Sequence, residues 1–309
     1  MLNKLLTVLV VIVLLAVGFV LAFKSQSATK IKASQVSKKE DTTDLKSQSE
    51  TRINVKNEQL ANLLKQMRAV DWNTRETAFY QLLDLAFGGE FNGQTWQIPA
   101  ALTRLSKKYP ANADEINLTL IRLLETENNF IRKHEKKFEQ TGETLTEEYT
   151  NYHGDLIGTV ADLKDSRAVN ALVGAINTGN MATNGLAEIA SFSLNIIAEK
   201  VDGSDSLTRH SATRILSHML EPANINRLET EIPGSREKIK NLLIKKAKDA
   251  DYNVRLSAIN GLAKLQDADA VKVLEEVSQN DLYQLTKGGT TTYPVREAAK
   301  KHLSRMKQN

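Results

Sequence analysis

The sequence predicts an all-α protein, an α-α superhelix in which short helices stack in pairs as a solenoid. Three observations predict it. The 309 residues include 15 Gly, 5 Pro and 6% aromatics, a scarcity of turn and strand formers that favours helices. From about residue 57 apolar side chains recur at helical spacing, and no segment sustains strand alternation. Above all, a spaced pattern repeats. Asp251-Arg255-Ala258-Leu262 recurs as Asp71-Arg75-Ala78-Leu82 and as Asp205-Arg209-Ala212-Leu216. Thr292-Arg296-Ala299-Leu303 follows with Thr for Asp, and Thr183-Ala187-Ala190-Leu194 with Thr and Ala substituted. A motif that returns along the chain is the signature of stacked repeats.

Three segments are expected from the N-terminus onward. In residues 1–23 the run 5–23, LLTVLVVIVLLAVGFVLAF, is 19 consecutive uncharged residues. As a helix it reaches about 28 Å, close to the ~30 Å hydrocarbon core of a bilayer. It reads as a membrane anchor or a secretion signal. Val20-Leu21-Ala22 offers small residues for cleavage, but the run exceeds a usual signal core, so an uncleaved single-pass anchor is expected. Residues 24–55 are polar and read as a flexible tether, whose Lys24–Lys39 stretch suits anionic lipid. Residues 56–309 form the solenoid domain. The tether lysines favour the cytoplasm by the positive-inside rule, whereas a hydrophobic N-terminus before a large domain is the layout of export. The expected location is the cell membrane, with the domain on the extracytoplasmic (periplasmic) side.

Charge narrows the partners. Residues 1–55 carry eight basic and four acidic groups, the whole net charge of +4, so the remainder is neutral. A nucleic-acid-binding body usually has a basic excess, so no nucleic acid is expected. The absence of cysteine excludes disulfides, a thiol nucleophile and Cys-ligated zinc.

Helices are expected over 57–69, 72–87, 96–108, 112–138, 145–163, 168–178, 185–200, 206–220, 236–248, 252–264, 269–279 and 294–306. Stops fall at Gly88-Gly89, Pro110, Gly142, Gly179, Gly203, Pro222, Pro233-Gly234 and Gly288-Gly289. The stretch 286–293, TKGGTTTY, reads as an odd loop. In each motif copy the first residue can cap a helix start. The Ala admits a close neighbour, and the Leu lies one turn on along the same face. A second half-motif also recurs, since Leu163-x-Asp165-x-x-Ala168-Val169-x-x-Leu172 matches Leu265-x-Asp267-x-x-Ala270-Val271-x-x-Leu274.

These residues, carried by LKDSRAVNALVGAI, DADYNVRLSAINGLAKLQDADAVKVLEEV and PVREAAKKHL, resemble HEAT repeats of the short bacterial type noted in phycobilisome lyases. The resemblance is strong over 160–200 and 236–306 and weaker over 57–87. It implies five or six units, with the first helix of each pair on the convex side and the second lining the concave side. It also implies that the Asp and Arg columns form a structural ladder between units. Aligning Leu163 on Leu265 puts His153 in the Arg column.

Signatures of chemistry are missing. The five histidines, His134, His153, His210, His218 and His302, form no zinc pair. His210, His218 and Glu221 can share a helix face but read as solvated or core residues. No P-loop, dinucleotide fingerprint or nucleophile elbow is present. The acids of 143–148 suit a helix start. In 236–248 Ile239, Leu242, Leu243 and Ala247 form a buried stripe, which leaves the lysines on an opposite, solvated face.

The expectation is a non-catalytic scaffold without cofactor or metal, holding a protein or peptide partner on its concave face. The residue two after the motif Ala points away from the packed side, which selects Tyr80, Phe192, Asn260 and Lys301; Asp84 and Lys264 lie on the same side. An enzyme or accessory lyase acting on a cofactor or nucleic-acid base is the second reading. A cytoplasm-facing nucleic-acid or lipid binder is the third.

Overall fold

Helical spacing becomes fourteen α-helices among the residues that the computed structural model describes, 57–92, 97–141, 144–178 and 180–307. They are α1 (57–66), α2 (Trp72–Phe87), α3 (Ile98–Lys108), α4 (Ala113–Thr141), α5 (Glu147–Asp162), α6 (Val169–Gly174) and α7 (Asn180–Glu188). Then follow α8 (Ala190–Lys200), α9 (Ser206–Met219), α10 (Pro222–Glu231), α11 (Ser235–Lys246), α12 (Tyr252–Leu262), α13 (Ala268–Asn280) and α14 (Pro294–Met306). The chain divides into Met1–Val55 and Lys56–Asn309, and all of these helices belong to the second unit. The apolar run 5–23 and the tether lie outside the described residues. Among the described residues no helix is long and apolar enough to cross a membrane.

The helices form two rows. One row runs α5, α7, α9, α12, α14, each packed on the next; these are the second helices of their pairs. Their partners α4, α6, α8, α11 and α13 form the other row. With α1 and α2 this makes six pairs among the described residues. α3 and α10 are extra helices, inserted after α2 and α9. The protein is an all-α helical-repeat solenoid, with one apolar core running from Leu60 to Ala299.

The repeated Asp does what its position suggests. Asp71 accepts from Thr74 N at 2.9 Å, Asp205 from Thr208 N at 2.7 Å, and Asp251 from Asn253 N at 2.8 Å. Each satisfies an amide that the first turn leaves open. The second half-motif builds a turn: Asp165 accepts from Arg167 N and Asp267 from Ala270 N, both at 2.9 Å. The residues just before them, Lys164 (φ 51°) and Gln266 (φ 55°), are the only non-glycines with positive φ among the described residues.

Five expectations need correction. The helix expected over 185–200 is two helices in different rows. Ile189 breaks it with φ −107° and ψ 39°, and Ser193 Oγ donates to the freed Leu186 carbonyl at 2.7 Å. Thr183 is therefore inside α7, not a cap. Thr292 is not a cap either, because α14 starts at Pro294 after Tyr293. The break expected at Pro222 is present, but Pro222 also begins α10, a helix that was not expected; a proline at the first helical position loses no hydrogen bond. The stretch 286–293 is largely a hairpin, β1 (Leu285–Lys287) against β2 (Thr290–Thr292). Gly288 (φ 57°) and Gly289 (φ 81°) supply the positive-φ turn that such a hairpin needs.

Candidate functional site

The motif arginines form a repeated clamp. Arg255 donates from Nε and Nη2 to Asp281 (2.6 and 3.1 Å) and from Nη1 to the Asp249 and Ala250 carbonyls (both 2.9 Å). Arg209 does the same to Asp249 (both 3.0 Å) and to the carbonyls of Gly203 and Ser204. Arg75 grips Glu127 and the carbonyls of Ala69 and Val70. His153 fills the Arg column, buried, with Nε2 3.1 Å from Asn128 Oδ1 beside Glu127. The three arginines each tie their pair to the next, while His153 bonds within its own pair α4–α5, so the column is a ladder and leaves no open charge row.

Two lysines of α11 correct the solvated face expected for that helix, whereas Lys238 and Lys245 lie exposed on it as expected. Lys240 and Lys246 are buried. Lys240 meets Glu237 at 2.8 Å and Asp267 and Asp269 at 3.3 Å, while Lys246 meets Asp202 at 2.8 Å.

What remains open is a stripe on each second helix. On α2 it holds Glu76, Tyr80 and Asp84; on α5, Asp155, Gly158 and Asp162; on α7, Met181, Asn184 and Glu188. On α9 it holds Leu207, His210, Arg214 and His218; on α12, Leu256 and Asn260, with Lys264 just past its end; on α14, Lys301, His302 and Arg305. Charge is segregated along this row. Helices α2, α5 and α7 contain no Lys and one Arg, the buried Arg75, whereas α9 and α12 contain no Asp or Glu and α14 only Glu297. The helices α4, α8, α11 and α13 of the other row each mix both signs.

Between α5 and α7 the stripe opens into a cavity of about 220 Å³, lined by Asp155, Asp162, Glu188, Met181 and Ala161, with Ile98 from α3. Gly158 keeps it open, because a Cβ there would lie 2.9 Å from Met181 Sδ. Burial pushes the Asp155 carboxyl up, against the lowering effect of the Tyr80 hydroxyl. Burial and the neighbouring Glu188 push up Asp162. At the other pole burial lowers His210, His218 and His302, and the cations Arg214, Lys264 and Arg305 add to the effect. Lys264 Nζ bonds Glu221 at 2.6 Å and the Ser217 carbonyl at 2.8 Å.

The residues selected from the sequence fall into separate groups. Tyr80 is half-buried and donates from its hydroxyl to Asp155 Oδ2 at 2.9 Å, so it borders the cavity. Asp84 accepts from Phe91 N at 3.0 Å and organises the loop after α2. Asn260 Oδ1 lies 2.8 Å from His302 Nε2, next to the exposed Lys301, and Lys264 follows in the turn after α12. Phe192, 61% exposed, lies on α8 in the first-helix row and shares no face with the others, because the break at Ile189 moves it. The cavity carboxylates were not selected, although Asp155, Gly158 and Asp162 recur at helical spacing opposite Leu156 and Val160. Among the described residues no group of three His, Asp or Glu side chains is arranged to hold a metal.

No family model matches the chain, and no curated protein matches it. Similar solved structures are engineered repeat proteins. A designed armadillo repeat protein in complex with the peptide (KR)4 aligns at 14% identity, over 80% of this chain and 99% of that one, with a TM-score of 0.44. Computationally designed armadillo repeat proteins for modular peptide recognition align at 15% identity, over 79% and 98%, with a TM-score of 0.41. A further designed armadillo repeat protein aligns at 14% identity over 80% and 99%, with a TM-score of 0.42. The fold is therefore read from the packing of this chain's own helices.

Proposed function

We propose that the chain is a non-catalytic HEAT-type scaffold, tethered to a membrane by residues 5–23, that holds a protein or peptide partner along its second-helix row. One observation carries the reading. The residues that repeat from unit to unit are consumed by caps and clamps, while the residues that vary collect on one continuous open face. Solenoids use such extended faces for binding. Tyr80, Asn260, Lys264 and Lys301 stand on that face; Phe192 does not.

Selection of a random peptide library against the full-length chain tests this. Binders lost on Met181→Glu plus Asn260→Arg, but kept on Phe192→Ala, support the face. Binders lost on Phe192→Ala and kept on the row variant refute it. A reporter fused after Asn309 tests the tether: activity only outside the cytoplasmic membrane is expected, and cytoplasmic activity overturns that placement.

A further inference from the structure

We propose that the ligand of the second-helix row is an extended peptide segment of opposite charge order. Its Lys or Arg enters the cavity between α5 and α7, and its Asp or Glu meets α12 and α14 about six residues away. This rests on the peptide-binding reading and adds the chemistry of the peptide.

Segregation is the first support. Charge complementarity steers partners and fixes register more than it adds raw affinity. A face whose first three helices are acidic and whose last three are basic presents two poles to any ligand lying across it. The poles are confined to the second-helix row, since the charged helices of the partner row each carry both signs. Counter-charges at the basic pole are Glu221, held by Lys264, the caps Asp205 of α9 and Asp251 of α12, and Glu297 in the first turn of α14.

The cavity is the second support. Its apolar walls, Ile98, Ala161 and Met181, suit the methylene stem of a long side chain, and the carboxylates of Asp155 and Asp162 line the same cavity. Arg and Lys bury their stems while keeping the charged head among polar groups. About 220 Å³ is room for one such side chain and not for a folded element. The carboxyls of Asp155 and Asp162 are pushed up by burial, and a cation would reverse that.

Helix spacing sets the register. Neighbouring packed helices lie roughly 8–10 Å apart, so the two and a half steps from the cavity between α5 and α7 to α12 span about 20 Å. An extended chain rises about 3.3 Å per residue, which gives about six residues between the charges.

The test uses the full-length chain and fluorescein-labelled 14-residue peptides of Gly, Ser and Asn carrying two Lys and two Glu. In one set the pairs are separated by about six residues, in both chain directions; in another the four charges alternate; further peptides carry only Lys or only Glu. Fluorescence anisotropy at about 50 mM salt limits screening. One direction of the separated set should bind at least about tenfold more tightly than the alternating set. Asp155→Asn with Asp162→Asn should erase that preference while leaving the thermal melt unchanged, and Glu275→Gln, at an exposed site on α13, should leave both intact. Equal binding of separated, alternating and all-Lys peptides overturns the proposal, as does a preference that survives the double Asn variant. Library binders on the row with no charge pattern overturn it and leave the scaffold reading standing. Failure of every peptide to bind removes both.

Discussion

Arg75 donates from Nε and Nη2 to the two carboxylate oxygens of Glu127 at 2.5 and 2.9 Å, and Glu127 has no exposed surface. The same carboxylate accepts from the hydroxyls of Tyr149 at 2.7 Å and Tyr152 at 3.1 Å. Charge in a core is tolerable only when every lone pair is used, and here four donors use them. The pair thus joins the first units with a geometry that the more open Arg209–Asp249 clamp repeats further along.

Arg75→Ala strands that carboxylate without a cation. The expected loss is about 3–5 kcal/mol, as for other broken buried pairs. Arg209→Ala removes the same contacts where solvent can replace part of them, and about 2 kcal/mol is expected. Guanidinium unfolding followed by far-ultraviolet circular dichroism compares them. A smaller loss for Arg75→Ala than for Arg209→Ala would contradict this account of the ladder.

Gly185 lies where α7 meets α5. A Cβ there would sit 2.6 Å from Ala161 Cβ and 3.0 Å from its Cα, and backbone cannot swing aside. Gly185→Ala should cost about 1–3 kcal/mol by overpacking, against the ~1 kcal/mol that alanine normally gains inside a helix. A melt at or above that of the parent chain would mean that the two helices separate more easily than their contact suggests.

These sites show what the residues disclose unaided. The caps Asp71, Asp205 and Asp251 were legible because an N-cap acts on its own next three residues. The clamp column was legible because one alignment of half-motifs placed His153 opposite Arg255. The break at Ile189 was hidden: no Gly or Pro marks it, and the apolar pattern runs through both helices. Its cause is tertiary, since α7 must pack on α5 while α8 must pack on α9. Phe192 was misassigned for that reason alone. The cavity was missed because its walls come from α3, α5 and α7, whereas periodicity reports one helix at a time. The segregation of charge was present in the sequence, but it emerges only after the second helices are picked out as a row.

His153 makes the fold acid-sensitive. Burial lowers its pKa to about 4, outweighing the attraction of the Glu127 carboxylate. In the unfolded chain it titrates near 6.5. Between those values the unfolded chain binds a proton that the folded chain refuses, so stability is full above about pH 6.5 and falls as pH drops toward 4. The gap corresponds to about 3 kcal/mol. His153→Gln retains a polar partner for Asn128 and should flatten the acid limb of the stability profile between pH 6.5 and 4. A profile as steep as that of the parent would assign the acid sensitivity to other groups.

Lys164 and Gln266 occupy matching turns in different units, and both hold a left-handed backbone that side chains disfavour. The conformation costs a non-glycine about 1–2 kcal/mol, and glycine gives back part of that gain through its freer unfolded chain. Gln266→Gly should therefore stabilise by about 0.5–1 kcal/mol, and Gln266→Val should destabilise, because a branched Cβ tolerates positive φ least. Lys164→Gly should follow Gln266→Gly closely. The ion pair it removes, Lys164 with Glu188 at 3.0 Å, joins two side chains that are 61% and 40% exposed, and such pairs contribute little. Thermal melts of the three variants decide the matter. If glycine destabilises both turns, the shared Leu-x-Asp spacing does not impose the strained residue between its two fixed positions, and the two half-motifs are alike in sequence without being alike in mechanics.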